Sequence, residues 1–201
     1  ILRTSRTNVL KDEATIQKAF DRFKELNLDG IVAIGGEGTL TVSGKLFDRG
    51  MPLIGVPKTI DNDIDNTDFT FGFATAVEIA TEAIDRLHTT AESHNRVMVV
   101  EVMGRHAGWI ATYSGIAGGA DVCIIPEKVR PLEDIVRIVE ARKARGKKFS
   151  IVVVAEGAKI SIDGKDFGVS KDRKDPFGRP LLGGIGQFVA DEIEKRTGFE
   201  S

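Results

Sequence analysis

With 201 residues, 28 of them Lys or Arg and 30 Asp or Glu, the chain carries a formal net charge of −2 and is long enough for one sizeable core or two small ones. That balance argues against non-specific nucleic-acid binding as the main role, and no apolar stretch approaches the roughly 18 residues that a membrane span needs. Cys123, the single cysteine, lies in the apolar run Val122 to Ile125, where it packs rather than bridges; with no signal-peptide pattern, a cytoplasmic protein is expected.

The chain opens on Ile1-Leu2-Arg3 rather than on Met, which predicts a fragment of a longer protein. Asp12 is the expected N-cap of a first helix with the apolar face Ile16, Ala19, Phe20, Phe23 and Leu26, ended by Asp29-Gly30. Ile31-Val-Ala-Ile34 reads as a buried parallel strand that runs into Gly35, Gly36 and Gly38 and then into a helix from Thr39 to about Asp48. Pro52 to Val56 is a second short strand, followed by the polar loop Pro57-Lys-Thr-Ile-Asp-Asn-Asp-Ile64. The spacing of Phe73, Val77, Ala80, Ile84 and Leu87 predicts a long helix from about Gly72 to Glu92. Arg96 to Met103 is a third strand; Gly104-Arg-His-Ala-Gly108 turns into a helix from Trp109 to about Ala117, stopped by Gly118-Gly119. Asp121 to Ile125 is a fourth strand, and Pro131 suits the first turn of the next helix, which Gly146 closes. Phe149 to Ala155 is a fifth strand ending at Glu156-Gly157. A polar, glycine-rich stretch from Ala158 to Pro180 is a candidate lid or binding loop, and a last helix is expected from about Leu182 to Arg196.

Strands alternate with helices throughout, which predicts an α/β fold with a doubly wound, mostly parallel sheet flanked by helices. Ligands bind beyond the carboxyl ends of such strands. Glu37, Lys58 to Asp63, Gly104-Arg105 and Glu156 all fall at that edge.

A strand ending in glycines and opening a helix brings backbone N–H groups and the positive end of the helix dipole to an anion. Glu37 inside that turn would repel phosphate unless a divalent cation lay between them; the alternative is a tight turn with an exposed acid. Asp61 and Asp63 share one face of an extended segment, with Asn62 turned away, so one can take a proton and the other help hold metal. The competing reading is an Asp-Asn-Asp turn with self-capping side chains. Thr59 can bond a transferred phosphoryl oxygen, and Arg6, Arg105 and Lys58 are candidate phosphate clamps. Arg96 opens a strand at the amino end, where it is either a solvated arginine or serves a neighbouring subunit. Glu156 either accepts from sugar hydroxyls or is a solvated rim acid. His88, His94 and His106 lack metal-ligand spacing, and His88 and His94 read as surface residues; Met98, Met103 and Trp109 read as core.

The segments GGEGT (35 to 39), PKTIDNDI (57 to 64), HTTAESHNRV (88 to 97), VEVMGRHAGW (100 to 109), IIPE (124 to 127) and AEGA (155 to 158) together resemble the 6-phosphofructokinases. The resemblance runs over almost the whole chain and looks closest to actinobacterial-type members. It implies a Rossmann-like phosphofructokinase fold and transfer of a phosphoryl group to the 1-hydroxyl of fructose 6-phosphate. Asp61 matches the catalytic base, Glu37 the magnesium-binding acid (usually Asp) and Asp63 a second acid near metal and sugar. Thr59 matches a residue touching both sugar and transferred phosphate, and Arg6 one that bridges phosphoryl groups. Met103, Gly104 and Arg105 match the MGR segment beside the sugar, Glu156 the sugar-hydroxyl acceptor, and Arg96 an arginine reaching across a subunit boundary, which implies a homo-oligomer.

For the donor, the resemblance implies Mg²⁺ with ATP, held by Gly36, Gly38, Thr39, Arg6 and Lys58. An Asp at 38 would crowd the α-phosphate and goes with pyrophosphate enzymes; Gly38 goes with ATP. Lys58 points the other way, toward a pyrophosphate-dependent enzyme. A non-catalytic, sugar-phosphate-binding regulatory half is a further alternative, although such halves tend to lose the acids that Asp61, Asp63 and Glu37 supply here. The family's N-terminal strand and a later sugar-phosphate segment have no counterpart, so a domain truncated at both ends is expected, with residues 1–104 as the donor part and 105–201 as the sugar-phosphate part. Asp121, Arg145 and Lys147 partly match the bacterial effector site.

Overall fold

The computed structural model describes residues 7–168 and 182–201. They fall into two compact units: the residues up to Thr59 together with Ile64–Thr67, and Ile60–Asp63 together with Asp68–Ser201. The division lies well before residue 104, because Val97–Val102 pairs, residue for residue, with Ser150–Ala155. A boundary at 104 would cut one sheet in two.

In the first unit, α1 (Glu13–Glu25) starts at Asp12, whose carboxylate accepts from the Thr15 backbone N–H and from its hydroxyl, both at 2.7 Å. Those hydrogen bonds to the charged form hold the Asp12 carboxyl below its ordinary value. Strand β1 (Ile31–Gly35) leads into α2 (Glu37–Phe47), and β2 (Leu53–Thr59) lies parallel to β1, with Ile31 opposite Leu53 and Gly35 opposite Pro57. Ile16, Leu46 and Met51 form the core, with Phe20, Phe23, Ile31 and Val42 packed around it. The expectation of a wholly buried first strand is corrected here. Val32, Ile34 and Ile54 are 62, 63 and 68% exposed. Successive side chains alternate across a strand, and among the described residues the apolar cover lies on the face toward α1 and α2.

In the second unit, a two-residue strand β3 (Phe71–Gly72) precedes the long helix α3 (Phe73–His94). Then come β4 (Val97–Val102), α4 (Trp109–Ala117), β5 (Val122–Ile124), β6 (Arg130–Pro131), α5 (Leu132–Ala144) and β7 (Ser150–Ala155). The order β4-β7-β5 is parallel throughout. β7 is central and buried at all six positions. Its Val152 and Val154 pack with Leu132, Ile135, Val139, Val189 and Ile193, while Ile151, Val153 and Ala155 pack with Ile84 and Ala111 on the other face. Asp121 ties this layer together: it accepts from the Ile151 N–H at 2.9 Å and pairs with Arg142 at 2.7 Å. Its carboxylate is thus committed within the fold.

Four further expectations change. Part of the stretch taken as a loop is a hairpin, β8 (Ile160–Ile162) and β9 (Lys165–Phe167), which are antiparallel about Asp163-Gly164, both at positive φ (50° and 75°). Such a two-residue turn matches the twist of the flanking strands. The rest, residues 169–181, lies outside the described residues, and α6 runs from Ile185 to Thr197. Pro131 is the N-cap of α5 rather than a first-turn residue, with an extended ψ of 134°. Trp109 and Met103 are 43 and 55% exposed rather than core: Met103 sits in the connection beyond β4, and Trp109 is the first residue of α4. His88 is half-buried, with Nε2 2.7 Å from the Gly118 carbonyl at the end of α4.

Candidate functional site

The predicted residues divide between the two units. In the first, the strand-to-helix turn is shorter than the sequence suggested. α2 begins at Glu37, so Glu37 is its first residue, and Gly36 is the N-cap with no side chain to occupy the first-turn amides. Glu37, Gly38 and Thr39 are all exposed. A Cβ on Gly36 would lie 3.6 Å from that of Thr59, so the turn packs against the end of β2, where Lys58 is exposed and Thr59 half-buried. A Cβ on Gly38, by contrast, would meet nothing within 4 Å. The fold therefore leaves open space beside Gly38, at the positive end of an 11-residue helix dipole. A cleft of about 400 Å³ between α2 and β2 is lined by Leu40, Phe47, Leu53 and Pro57. It shares none of the polar strand-end residues and has no assigned role.

Arg6 lies outside the described residues. Among those described, no group of three Asp, Glu, His or Cys stands where it would hold a metal unaided. Glu37, exposed on the first turn of α2, offers one carboxylate and could supply only part of a magnesium ion's oxygen shell.

The second unit gathers Asp61, Gly104, Arg105 and Glu156 at one edge. Beyond β4 and β7, the Glu156 N–H donates to the Val102 carbonyl at 2.8 Å and the Gly157 N–H to that of Gly104 at 3.0 Å. The pairing thus continues past both strands and sets Gly104-Arg105 beside Glu156. A Cβ on Gly157 would fall 2.0 Å from the Arg105 carbonyl oxygen, so only glycine permits this approach. Burial pushes the Glu156 carboxyl above the ordinary range. The Gly104 backbone N–H and Arg105 pull it down, while the charges of Glu101 and Asp61 push it up. Asp61, Arg105, Glu101 and Glu156 therefore share one electrostatic environment.

The loop carrying Asp61 corrects the picture of two acids on one face. Asn62 is left-handed (φ 54°), so the segment is not extended and the alternation rule does not apply. Its Oδ1 accepts from the Thr70 N–H at 2.8 Å and its Nδ2 donates to the Asp68 carbonyl at 3.3 Å. Asp61 is half-buried and Asp63 exposed, so the two acids have different surroundings. A left-handed Asn suits a turn, but its amide bonds residues six and eight further on, so this is a tethered loop rather than the self-capped Asp-Asn-Asp turn of the competing sequence reading.

Arg96 is not part of this cluster. Eight residues at about 3.3 Å each set it roughly 25 Å from Gly104, at the amino end of β4. Its guanidinium pairs with Glu200 of the same chain, and its Nε is buried with no hydrogen-bond partner among the described residues. Two residues that sequence reasoning missed also matter. Asn62 shapes the loop, and Glu101 accepts from backbone amides at the start of α6. A lone acid inside the apolar run Val99-Val-Glu-Val102 was the available signal for Glu101.

A family model described as phosphofructokinase matches residues 1–201. The chain is 55% identical over its full length to a pyrophosphate–fructose 6-phosphate 1-phosphotransferase of Amycolatopsis mediterranei and 52% to an ATP-dependent 6-phosphofructokinase of Streptomyces coelicolor. It spans 58% of the length of each. The crystal structure of a pyrophosphate-dependent phosphofructokinase from Nitrosospira multiformis superposes with a TM-score of 0.75 at 26% identity, over 94% of this chain and 47% of that one.

Proposed function

The chain belongs to the phosphofructokinase family, and from that premise we propose that the full-length protein transfers a phosphoryl group from Mg-ATP to the 1-hydroxyl of fructose 6-phosphate. In this reading Asp61 takes the proton from the sugar O1 as the O1–P bond forms and the bond from phosphorus to the leaving oxygen of ADP breaks. Arg105 and the half-buried Glu156, drawn together by the paired ends of β4 and β7, orient the sugar. Met103 and Gly104 border it, and Asp63 lies at its rim. Thr59 bonds the transferred group, while Gly36, Gly38, Thr39 and Lys58 hold the donor, with Arg6 bridging phosphoryl groups. Bound magnesium, held by Glu37, would neutralise phosphate charge. Arg96 serves a sugar phosphate at a homo-oligomer boundary, which requires it to leave Glu200.

The observation that supports ATP is the open space beside Gly38, which an aspartate side chain would fill with a like charge. A pyrophosphate-dependent enzyme is the second reading. The exposed Lys58 and the similar relative from Amycolatopsis mediterranei favour it. Coupled assays of the full-length protein with each donor decide between them; ATP turnover that Gly38→Asp weakens is expected, and turnover with pyrophosphate alone would reverse the assignment. Asp61→Asn should lower kcat by about 10²–10⁴ while sugar phosphate still binds. Near-normal turnover would remove Asp61 from the mechanism.

A further inference from the structure

Glu101 sits in β4, two residues before Met103-Gly104-Arg105, and its side chain does something that the proposed chemistry does not use. Its two carboxylate oxygens each lie 3.1 Å from the Gly184 amide nitrogen, and Oε2 accepts from the Gly186 N–H at 2.9 Å. These amides belong to the N-cap and first turn of α6, where no side chain from the helix itself provides a cap. The backbone is shaped to allow the contact. Gly184 is left-handed (φ 93°), and a Cβ on Gly186 would lie 2.9 Å from the Glu101 Cβ. Glu101 lies opposite Val154 in the strand register, two residues before Glu156, so the same side chain ties the start of α6 to the strand end that carries Glu156. The same carboxylate is one of the charges acting on Glu156, together with Asp61 and Arg105.

We propose that Glu101 is a positioning residue for the sugar half of the site: by seating the start of α6 on β4 and holding a second negative charge near Glu156, it fixes how Glu156 meets the sugar. This rests on the phosphofructokinase reading for its consequence in catalysis, but not for its electrostatics. Glu101 touches no reacting atom in this account. Its effect passes through Glu156 and the strand end.

The test uses the full-length protein with Glu101→Gln and Glu101→Asp. Gln keeps the reach and loses the charge; Asp keeps the charge and loses the reach. With ¹³C-labelled glutamate, the Glu156 carboxyl, assigned by its loss in Glu156→Gln, should titrate about 0.5 pH unit lower in Glu101→Gln than in wild type, the size expected of one partly screened neighbouring charge. In Glu101→Asp it should stay near the wild-type midpoint while amide exchange at Gly186 accelerates. Both variants should raise KM for fructose 6-phosphate by about tenfold, with kcat within about threefold of wild type. An unchanged Glu156 midpoint and unchanged KM in Glu101→Gln, with faster exchange at Gly186, would reduce Glu101 to an ordinary helix cap and overturn the proposal. Should wild type fail to phosphorylate fructose 6-phosphate with either donor, the functional reading falls and the Glu156 titration alone decides this one. If Glu101→Gln does not fold, unchanged KM in Glu101→Asp despite faster exchange at Gly186 overturns it.

Discussion

In the second unit, β7 is covered on both faces: Ile151, Val153 and Ala155 look toward α3 and α4, Val152 and Val154 toward α5 and α6. In the first unit, β1 and β2 are covered by α1 and α2 on one face, and Val32, Ile34 and Ile54 stand exposed on the other. Both regions are parallel sheet with apolar strands. Parallel sheet is ordinarily buried on both sides, so the first unit is the anomaly. An apolar run therefore specifies that a strand forms and that both its faces tolerate burial; what supplies the cover is decided elsewhere in the chain or assembly.

The contrast can be broken by paired substitutions in the full-length protein, read by chemical denaturation. Ile151→Ala removes a fully buried side chain and should cost about 2–5 kcal/mol. Ile34→Ala should stay within about 0.5 kcal/mol. A loss at Ile34 as large as that at Ile151 would mean that the face is covered when the whole protein is present.

Glycine sharpens the same comparison at smaller scale. Gly157→Ala forces a methyl group to within 2.0 Å of the Arg105 carbonyl and should cost about 1–3 kcal/mol, with weakened sugar binding as Arg105 shifts. Gly38→Ala enters open space on a helix and should be neutral or stabilise by about 0.5–1 kcal/mol. Equal losses at both positions, in the same denaturation series, would contradict the open surroundings of Gly38.

The smallest effect concerns charge. Burial raises the Glu156 carboxyl in the folded state, so the folded protein binds a proton there more readily than the unfolded chain. Stability then falls as pH rises from the ordinary glutamate value, about 4.3, through the raised one. Glu156→Gln removes that penalty. Its melting temperature should exceed wild type at pH 7, the difference should vanish as pH drops below the ordinary glutamate range, and sugar affinity should fall at the same time. A variant less stable than wild type at pH 7 would show that the Gly104 N–H and Arg105 outweigh burial.

Much of this is legible in the sequence. Asp12 as a cap, the alternating strand and helix order, and the strand-end placement of Glu37, Arg105 and Glu156 all follow from local chemistry. The Asp163-Gly164 hairpin was also readable, since Ile160-Ser-Ile-Asp-Gly-Lys-Asp-Phe167 carries a standard two-residue turn signal; reading the stretch as glycine-rich loop hid it. What could not be read depended on distant partners. The exposure of Val32 and Ile34 is set by what covers a sheet face. The left-handed Asn62 depends on its bonds to Asp68 and Thr70, and Glu101 on a helix more than 80 residues later.

Asn62 holds its loop with both ends of one amide. Hydrolysis of that amide, the slow ageing reaction of asparagine in stored protein, would set a carboxylate oxygen against the Asp68 carbonyl where an N–H now donates, and would add a third negative charge between Asp61 and Asp63. The ageing of one side chain would thus undo a hydrogen bond that shapes the acid-bearing turn.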